Sequence, residues 1–369
     1  MRVTYSTGKT AKEVSKDLQE QFQDIDPRAI LFFASSIFGP DALGLEIGGA
    51  FVGATVFGCT TAGEIVSGRM LKHSVTAMAF DAGDLDQIKL CVIEDLHNKY
   101  AIDDAFAFFE DHFGEPMSEI DPGKFVGIIL VDGLSRVEEK LMDRIGDLTN
   151  IAFVGGSAGD DLRFETTHVF ADGCAYANSA VLAILKPKAP FDVIKTQSFR
   201  ALGKTLHATK VDELRREVIE FDEKPAIVAY ADAIGSTVAE APDHFMSKPV
   251  GLMIDGEPYV RSPQQVKDES IVFYCNVKEG SQLSILQSTD IVEDTRKAIE
   301  SKRREMGNIA GIINFHCILR TLELENKGQT EAYGRIFSDI PTIGFSTYGE
   351  QCIGHMNQTS AMLVFKAGE

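Results

Sequence analysis

The 369-residue sequence has little positive charge, and this excludes one large class of function. It contains 36 lysine and arginine residues against 55 aspartate and glutamate residues, for a formal net charge of −19. Because nucleic-acid binding depends on clustered Lys and Arg side chains, we expect no nucleic-acid partner. The densest basic run, residues 302–304, lies among acidic residues, which is typical of a solvated helix face.

Long apolar runs and paired cysteines are also missing. Residues 1–9 lack the apolar core of a secretory signal, and the most apolar glycine-rich stretch, residues 44–58, is too short to span a bilayer. The six cysteines are spread singly without a C-x-x-C pair, as expected for buried thiols in a reducing compartment. The sequence therefore predicts a cytoplasmic protein with no membrane segment.

Signatures of catalysis and metal binding are equally scarce. There is no H-E-x-x-H or G-x-S-x-G motif, and the eight histidines show no metal-ligand spacing, so we predict no metal site. His316 and Cys317 are adjacent and would point to opposite faces of a strand, which argues against a catalytic pair. An enzyme with Cys59 or Cys317 as nucleophile stays open, although neither neighbour of Cys59 would lower its pKa.

Three glycine motifs are the main feature that the sequence does contain. Each follows a short apolar run, places small or hydroxyl residues between glycines and ends on a carboxylate. The motifs are residues 58–64 (GCTTAGE), 155–160 (GGSAGD) and 344–350 (GFSTYGE). An apolar run of strand length lies before and after each motif. The repeated unit therefore predicts strand, helix, strand, glycine turn and strand.

The glycine turns could bind a ligand or only connect strands. Glycine lets a backbone bend sharply and expose its N–H groups. However, the acid after the second glycine contradicts a triphosphate-binding P-loop, and the spacing of Gly58 and Gly63 does not match the Rossmann fingerprint. The alternative is that the turns and their carboxylates join strands through hydrogen bonds.

Helical and strand patterns alternate along the chain, which predicts a mixed α/β (α+β) fold of repeated units in two layered domains. The apolar spacing in residues 11–22 predicts the first helix, and a capping box predicts that another begins at Ser135. Two copies of the unit fall in residues 1–188, which we assign to the first domain. Residues 189–369 form the second, with a mostly antiparallel insertion before the third copy.

The motifs resemble the FIST domain family over almost the whole chain. Residues 56–65 and 153–161 are similar to the N-terminal FIST domain. Four later segments are similar to the C-terminal FIST domain: residues 259–262, 317–320, 343–350 and 357–359. The resemblance implies an intracellular signal-transduction sensor that binds a small ligand and has no catalytic activity. It also implies a separate partner, such as a histidine kinase of a two-component system, a chemoreceptor or a cyclic-di-GMP enzyme.

Two hypotheses for the ligand follow. In the first, a small anionic metabolite such as an amino acid is held by Arg320 or Arg261 and by the N–H groups of the glycine turns. Arg320 could instead pair internally with Glu350 or a helix end. We place the pocket where the glycine turns meet. Its predicted lining is Cys59, Thr60, Thr61, Glu64, Ser157, Asp160, Arg320, Tyr348, Glu350 and Asn357.

In the second hypothesis the ligand is haem. A free-standing FIST protein of this length resembles the haem-based nitric-oxide-sensing branch of the family, and residues 70–74 are similar to that branch. The resemblance implies haem b held by a neutral imidazole beside an apolar pocket, with His73 or His355 as the axial ligand. The sequence leaves the ligand, the partner and the domain that carries the pocket open.

Overall fold

A computed structural model describes residues 1–98, 100–352 and 354–368. The chain divides into two compact units. The first unit comprises Met1–Lys195, Arg296–His355 and Ser360–Glu369, and the second comprises Thr196–Thr295 and Met356–Thr359. The first unit contains all three glycine motifs.

The first unit is built from three copies of one pattern: strand, helix, strand, helix, strand, a two-stranded hairpin and a last strand. The first two copies have eight elements, and the third has nine because two helices replace its second helix. The first copy consists of β1 (Arg2–Ser6), α1 (Ala11–Gln21), β2 (Pro27–Ser35), α2 (Pro40–Ala50), β3 (Thr55–Thr61), β4 (Glu64–Val66), β5 (Arg69–Leu71) and β6 (Val75–Asp81). The second consists of β7 (Leu85–Ile93), α3 (Ala101–Phe113), β8 (Val126–Val131), α4 (Glu138–Leu148), β9 (Phe153–Ser157), β10 (Val169–Ala171), β11 (Cys174–Tyr176) and β12 (Ala180–Pro187).

The third copy starts with β13 (Phe191–Gln197), and the second unit is inserted in the chain directly after it. The inserted elements are β14 (Phe199–Asp212), β15 (Glu217–Phe221), β16 (Lys224–Pro225), α5 (Ala226–Ile234), β17 (Val250–Ile254), β18 (Glu257–Arg261), β19 (Pro263–Lys267), β20 (Ser270–Phe273) and β21 (Gln282–Ser288). The third copy resumes with α6 (Ile291–Met306), β22 (Ile309–Cys317), α7 (Ile318–Asn326), α8 (Thr330–Arg335), β23 (Thr342–Thr347), β24 (Glu350–Cys352), β25 (His355–Met356) and β26 (Thr359–Lys366).

The three sheets of the first unit exchange their hairpins in a cycle. Their strand orders are β1-β6-β2-β3-β10-β11, β7-β12-β8-β9-β24-β25 and β13-β26-β22-β23-β4-β5. In each sheet the first four strands come from one copy and the hairpin comes from another. The hairpin of the first copy lies in the sheet of the third copy, that of the second copy lies in the sheet of the first, and that of the third copy lies in the sheet of the second. No sheet of this unit is therefore completed by a single copy.

Two of the exchanged hairpins are seated by contacts between glycines. The turn of β10–β11 lies so close to α2 that a Cβ atom on Gly48 would be 2.6 Å from Cα of Gly173, and one on Gly44 would be 3.0 Å from its oxygen. The turn of β4–β5 lies equally close to α8, where a Cβ on Gly334 would be 2.9 Å from the oxygen of Gly68. Only glycine permits such close approach of a hairpin turn to a helix.

Side-chain caps in the sequence explain where α1 and α6 begin. The side chain of Thr10 accepts the N–H of Glu13 and caps α1, which spans the predicted first helix. Asp290 caps α6 in the same way, because its Oδ1 accepts from the N–H groups of Val292 and Glu293. The predicted capping box at Ser135 is wrong. Its hydroxyl bonds the carbonyl of Asp132, and α4 starts three residues later, at Glu138.

The core of the first unit lies between its sheets and the helices that cover them. On the faces of the sheets that point away from these helices, aromatic side chains of different copies meet: the rings of Phe33 and Phe345 lie 4.5 Å apart, and Phe315 packs edge-on against both. Each sheet has one parallel strand pair, formed by β2–β3, β8–β9 and β22–β23. The predicted mixed α/β class and repeated units are confirmed.

The second unit is an eight-stranded, nearly closed antiparallel sheet with the order β18-β17-β21-β14-β15-β20-β19, and β16 pairs with β15. Its core is filled from α5, whose Tyr230 is fully buried and donates its hydroxyl to the carbonyl of Lys248 at 2.8 Å. The mostly antiparallel insertion expected in the second half of the chain is thus present. It interrupts the third copy after β13, whereas the sequence predicted that it comes before that copy. The division into domains at residue 188 stays a prediction.

Candidate functional site

The three glycine motifs meet in the first unit and bond one another in a cycle. The N–H of Ala62 donates to the carbonyl of Ser346, and that of Ser346 donates to Gly63. Gly159 donates to Thr60 at 2.9 Å, which joins the second motif to the first. The motifs at residues 155–160 and 344–350 are joined by bonds from Ser157 to Gly349 and from Tyr348 to Ser157. The bends therefore lie side by side at one junction, which we call the motif junction.

The glycines of the motifs permit close packing. A Cβ atom on Gly159 would lie 2.7 Å from the nitrogen of Ala62, and one on Gly349 would lie 2.2 Å from Cε1 of His355. The glycines before the acids of the three motifs are Gly63, Gly159 and Gly349. Of these, Gly63 alone has a positive φ, 129°. The need for close packing therefore explains why many of these positions are glycine. This agrees with the alternative given above, in which the turns join strands.

The acids that end the first and third motifs are buried and bonded within their own turns. The hydroxyl of Thr61 donates to Glu64, and that of Thr347 donates to Glu350 in the same way. Glu64 is 1% exposed and also accepts from the hydroxyl of Ser74 at 2.6 Å. Burial raises the pKa of Glu64 to about 8, so this carboxyl is largely protonated at neutral pH.

Asp160 has a different role, because its carboxylate organises the loop that follows the second motif. It accepts from the N–H groups of Phe164 at 2.9 Å, Glu165 at 2.6 Å and Thr166 at 3.0 Å, and from the hydroxyl of Tyr348. Leu162 and Phe164 in this loop have φ values of 65° and 55°, an unusual conformation for bulky residues. The loop is held in this strained form by Asp160 and Tyr348.

Replacing Tyr348 with phenylalanine tests how the loop is held. The hydroxyl donates to Asp160 and accepts the N–H of Leu162 at 2.9 Å, and burial raises its pKa well above the usual value, so that it stays protonated. We expect Tyr348→Phe to lower the free energy of unfolding by about 1–3 kcal/mol, measured by urea denaturation. The matched control Tyr5→Phe, which loses an exposed bond from Arg69, should cost less than about 0.5 kcal/mol. Equal effects would contradict this role.

A cavity of about 150 Å³ lies beside the motif junction. It is lined by the turn between β2 and α2, by Thr60 and by the loop after the second motif. The lining residues are Ser36, Phe38, Pro40, Thr60, Asp160, Arg163, Glu165, Thr166 and His168. The volume corresponds to about five water molecules at ~30 Å³ each. This size suits a small polar molecule.

The cavity contains groups of both charges. The guanidinium of Arg163 donates through Nη2 to the hydroxyl of Ser36 at 2.7 Å and through Nε to the carbonyl of Asp160 at 3.3 Å. Burial lowers the pKa of His168, so its ring is neutral at pH 7. Pro40 begins α2, which places the positive end of a helix dipole at the cavity. Glu165 supplies a carboxylate on the same loop as Arg163.

Arg320 is 1% exposed and lies in a buried polar cluster on β22, α7 and α8, while the cavity lining given above does not include it. Tyr333 bonds Nδ1 of His316 at 3.0 Å and accepts from Asn314 at 3.1 Å. Burial lowers the pKa of His316 well below its usual value, and the charge of Arg320 acts in the same direction. The His316 imidazole is therefore neutral.

The remaining predicted site residues are dispersed. Ser157 belongs to a buried polar chain in which Gln351 donates to its hydroxyl at 3.0 Å. Cys59 lies fully buried on β3 between Phe33 of β2 and Val169 of β10. Asn357 belongs to the second unit and is 1% exposed. The structure thus brings Thr60 and Asp160 to the cavity and places Glu64, Ser157, Tyr348 and Glu350 in the junction around it.

The two histidines proposed as haem ligands have different surroundings. His73 is exposed at a turn with a φ of 55°. His355 is 6% exposed, and its ring lies against Gly349, with Nδ1 3.4 Å from the side-chain nitrogen of Gln351. These contacts are polar or involve backbone, whereas a haem needs an apolar pocket beside its axial imidazole.

Seven of the nine residues that line the cavity were missed by the sequence reasoning. Four of them follow the second glycine motif within eight residues: Arg163, Glu165, Thr166 and His168. The other three lie in the turn from β2 to α2 and at its end: Ser36, Phe38 and Pro40. Their positions immediately after a motif and at a strand-to-helix turn could have indicated them. The parallel pairing of β2 with β3 brings Ser36 and Thr60 to the same end of one sheet. The bond from the N–H of Gly159 to the carbonyl of Thr60 brings the loop after the second motif there.

Neither a membrane helix nor a metal cluster is evident in the described residues. Within residues 1–98, 100–352 and 354–368, no helix has the length and apolar character needed to cross a bilayer. The same residues contain no group of three or more His, Cys, Asp or Glu side chains arranged to hold a metal ion.

Comparison with known proteins gives matches along most of the chain. The family model described as the FIST N domain matches residues 28–224, and that of the FIST C domain matches residues 226–353. An uncharacterized protein of Methanocaldococcus jannaschii is 24% identical over 235 residues, which cover 59% of this chain. The match spans 41% of that relative, so the chain corresponds to less than half of its length.

Proposed function

The chain belongs to the FIST family, whose domains are sensory and bind ligands, and we propose that it detects a small amino-acid-like metabolite and relays its presence to a separate signalling protein. The observation that supports this proposal is the polar cavity at the motif junction. Two of the residues expected from the sequence, Thr60 and Asp160, line it together with Arg163, Glu165 and His168. A site with both a cation and an anion suits a zwitterion.

Arg163 is proposed to bind the carboxylate of the ligand. A guanidinium has five N–H donors, and the described bonds of Arg163 use Nε and Nη2, so its Nη1 edge can face a ligand. Arg163 is exposed, and the ligand can therefore reach it from solvent. The carboxylate of Glu165 is proposed to bind the ligand ammonium, because Asp160 already accepts four hydrogen bonds.

A thermal-shift screen of the amino acids tests this site. We expect one or more small amino acids to raise the melting temperature of the wild-type protein, because a ligand that binds only the folded state stabilises it. Arg163→Ala should reduce the affinity at least tenfold, whereas Arg335→Ala, at an arginine whose side chain is 69% exposed on α8, should leave it unchanged. No shift with any amino acid, or an equal shift in Arg163→Ala, would contradict the proposal.

A second variant separates a zwitterion from a simple carboxylate. If Glu165 binds an ammonium group, Glu165→Gln should weaken amino-acid binding. If the ligand carries only a carboxylate, the same change should strengthen binding, because it removes a like charge beside the ligand. The sign of the change in affinity, measured by calorimetry, therefore reports the ligand class.

The proposed partner is a histidine kinase, a chemoreceptor or a cyclic-di-GMP enzyme, as the family resemblance implies. The strained loop of residues 161–164 carries Arg163 between the exposed side chains of Leu162 and Phe164, which are 38% and 49% exposed. A ligand that bonds Arg163 would thus alter an apolar surface. Autophosphorylation of a purified kinase from the same organism, with and without the ligand, tests the relay, and Arg163→Ala is the unresponsive control.

A haem function has less support. His73 is exposed and His355 has polar and backbone contacts, so the residues present do not match a haem pocket. We therefore derive no step through haem, and nitric-oxide sensing is not part of the proposal.

We also propose that the chain has no catalytic activity of its own. A cysteine nucleophile needs an accessible thiol with a lowered pKa. Cys59 is fully buried, and burial raises its pKa well above the usual value, while Cys317 is 1% exposed. These environments favour cysteines that act as apolar core residues.

A further inference from the structure

We propose that the first unit carries a second ligand site, for an amphipathic carboxylate, at the end of the third sheet opposite the motif junction. A cavity of about 400 Å³ lies there, within the range of ~300–1,000 Å³ typical of small-molecule sites. It is lined by residues near the start of β22 and the end of β26, among them Ala310, Phe365 and Lys366. This site does not depend on the amino-acid site proposed above.

The two cavities are well separated along the sheet. Ala310 is the second residue of β22, whereas the carboxyl end of that strand, at Cys317, pairs with Thr347 of the third glycine motif. A strand of nine residues spans roughly 30 Å at ~3.3 Å per residue. A ligand in this cavity would therefore bind independently of groups at the motif junction.

Backbone hydrogen bonds fix the walls of this cavity. Lys188 donates its N–H to the carbonyl of Asp84 at 2.9 Å, and Lys366 donates to that of Pro190 at 2.8 Å. Ala367 donates to Asn308 at 2.8 Å. These bonds join the segment after β12, the turn before β7 and the last strand. The cavity is thus formed before a ligand binds, which lowers the conformational cost of binding.

The charges at the cavity favour an anion. Lys188 and Lys366 are the two lysines of the lining, and the carboxylate of Asp84, a third lining residue, is already paired with the amino group of Met1 at 2.7 Å. Lys188 lies 3.9 Å from Asp86, but both side chains are about half exposed, so this pair is weak. In a chain with a net charge of −19, two such lysines form a local positive site.

The rest of the lining is apolar, which defines the other part of the ligand. Phe365 is 1% exposed, and Pro190, Ala189 and Ala310 add aliphatic surface. The volume corresponds to about 13 water-sized atoms at ~30 Å³ each. A carboxylate with an apolar tail of that size fits both features: the tail on the apolar wall and the carboxylate at the lysines. A medium-chain fatty acid is the simplest example of this class.

Calorimetry with sodium decanoate, below its micelle concentration, tests this site. We expect one decanoate to bind per chain. Lys188→Gln combined with Lys366→Gln should weaken binding at least tenfold, while Lys16→Gln combined with Lys124→Gln, at exposed lysines outside the cavity, should change it less than twofold. Decanol should bind the wild type and the Lys188/Lys366 variant equally, because it lacks the charge.

A cavity-filling variant distinguishes this site from nonspecific adsorption. Ala310→Phe places a ring in the cavity and should abolish binding of both decanoate and decanol, with the fold checked by circular dichroism. Absence of decanoate binding to the wild type would overturn the proposal, as would equal binding by wild type and the lysine pair variant. If Ala310→Phe fails to fold, the lysine variants decide, since Lys188 is about half exposed and Lys366 is partly exposed, so both can be changed without loss of the core.

Discussion

Replacing Gly155 with alanine is expected to cost more than about 3 kcal/mol and to leave most of the protein unfolded or insoluble. A Cβ atom at this position would lie 1.7 Å from the carbonyl oxygen of Ile129, its register partner on the parallel strand β8. Because the obstacle is backbone, no side chain can move to relieve the overlap, and the two strands would have to separate. Urea denaturation followed by circular dichroism measures the loss.

Gly49→Ala is the matched control for this experiment. Gly49 lies exposed within α2, and a Cβ atom there has no neighbour within 4 Å. Alanine removes the entropic cost of a helical glycine, so this variant should be more stable than the wild type by about 0.5–1 kcal/mol. The same substitution is thus expected to have opposite signs at two glycines. If Gly155→Ala were as stable as the wild type, β8 and β9 would not be as closely paired as described.

Replacing Glu64 with glutamine is expected to remove a large pH dependence of stability. The folded protein holds the pKa of Glu64 at about 8, against an ordinary value of 4.5, because burial disfavours the charged form and Asp161 adds a like charge. Between these values the folded state binds a proton that the unfolded state has released. Stability is therefore greatest below pH 4.5 and falls as the pH rises to about 8, by at most about 5 kcal/mol from this group.

Glutamine resembles the protonated form of Glu64, so the difference in stability between Glu64→Gln and the wild type reports the loss of the proton. Its amide can donate to the hydroxyl of Thr61 and accept from Ser74, the groups that bond Glu64 now. We expect Glu64→Gln to match the wild type near pH 5 and to exceed its free energy of unfolding by several kcal/mol at pH 8.5. Glu20→Gln, at a glutamate 65% exposed, should track the wild type throughout. Parallel curves for Glu64→Gln and the wild type would refute the buried proton.

The sequence was sufficient to predict the repeated unit, because its pattern is local. Glycines, hydroxyl residues and an acid follow one another within seven positions, and the bond from Thr61 to Glu64 links residues only three apart. The same local information predicts the first helix and its cap at Thr10. The conformation and contacts of the motifs could not be predicted from this local pattern. Gly58 was expected to form a bend, but a Cβ there would lie 2.0 Å from the oxygen of Phe32 on the neighbouring strand.

The exchanged hairpins and the cavity lining depend on partners distant in the chain. A short strand such as β4 carries no local mark that it pairs with β23, more than 270 residues away. Arg320 was grouped in one pocket with Thr60 because it could bind a carboxylate and lies in a segment similar to the C-terminal FIST domain, yet Arg320 lies in the buried cluster with Tyr333. Arg163 was overlooked although it follows the second glycine motif, because its position in the sequence does not show which distant residues it contacts. Its contact with Ser36 spans 127 positions.

The hairpin cycle also orders events during synthesis on the ribosome. The second sheet has its strand β9 finished at Ser157, but the strand that pairs beside it, β24, ends only at Cys352. At ~5–20 residues per second, this edge stays open for roughly 10–40 s while the rest of the chain is made. An open strand edge is a site for pairing with other chains. Nascent chains on one messenger RNA are thus most prone to associate through β9, until β24 of the same chain pairs with that strand.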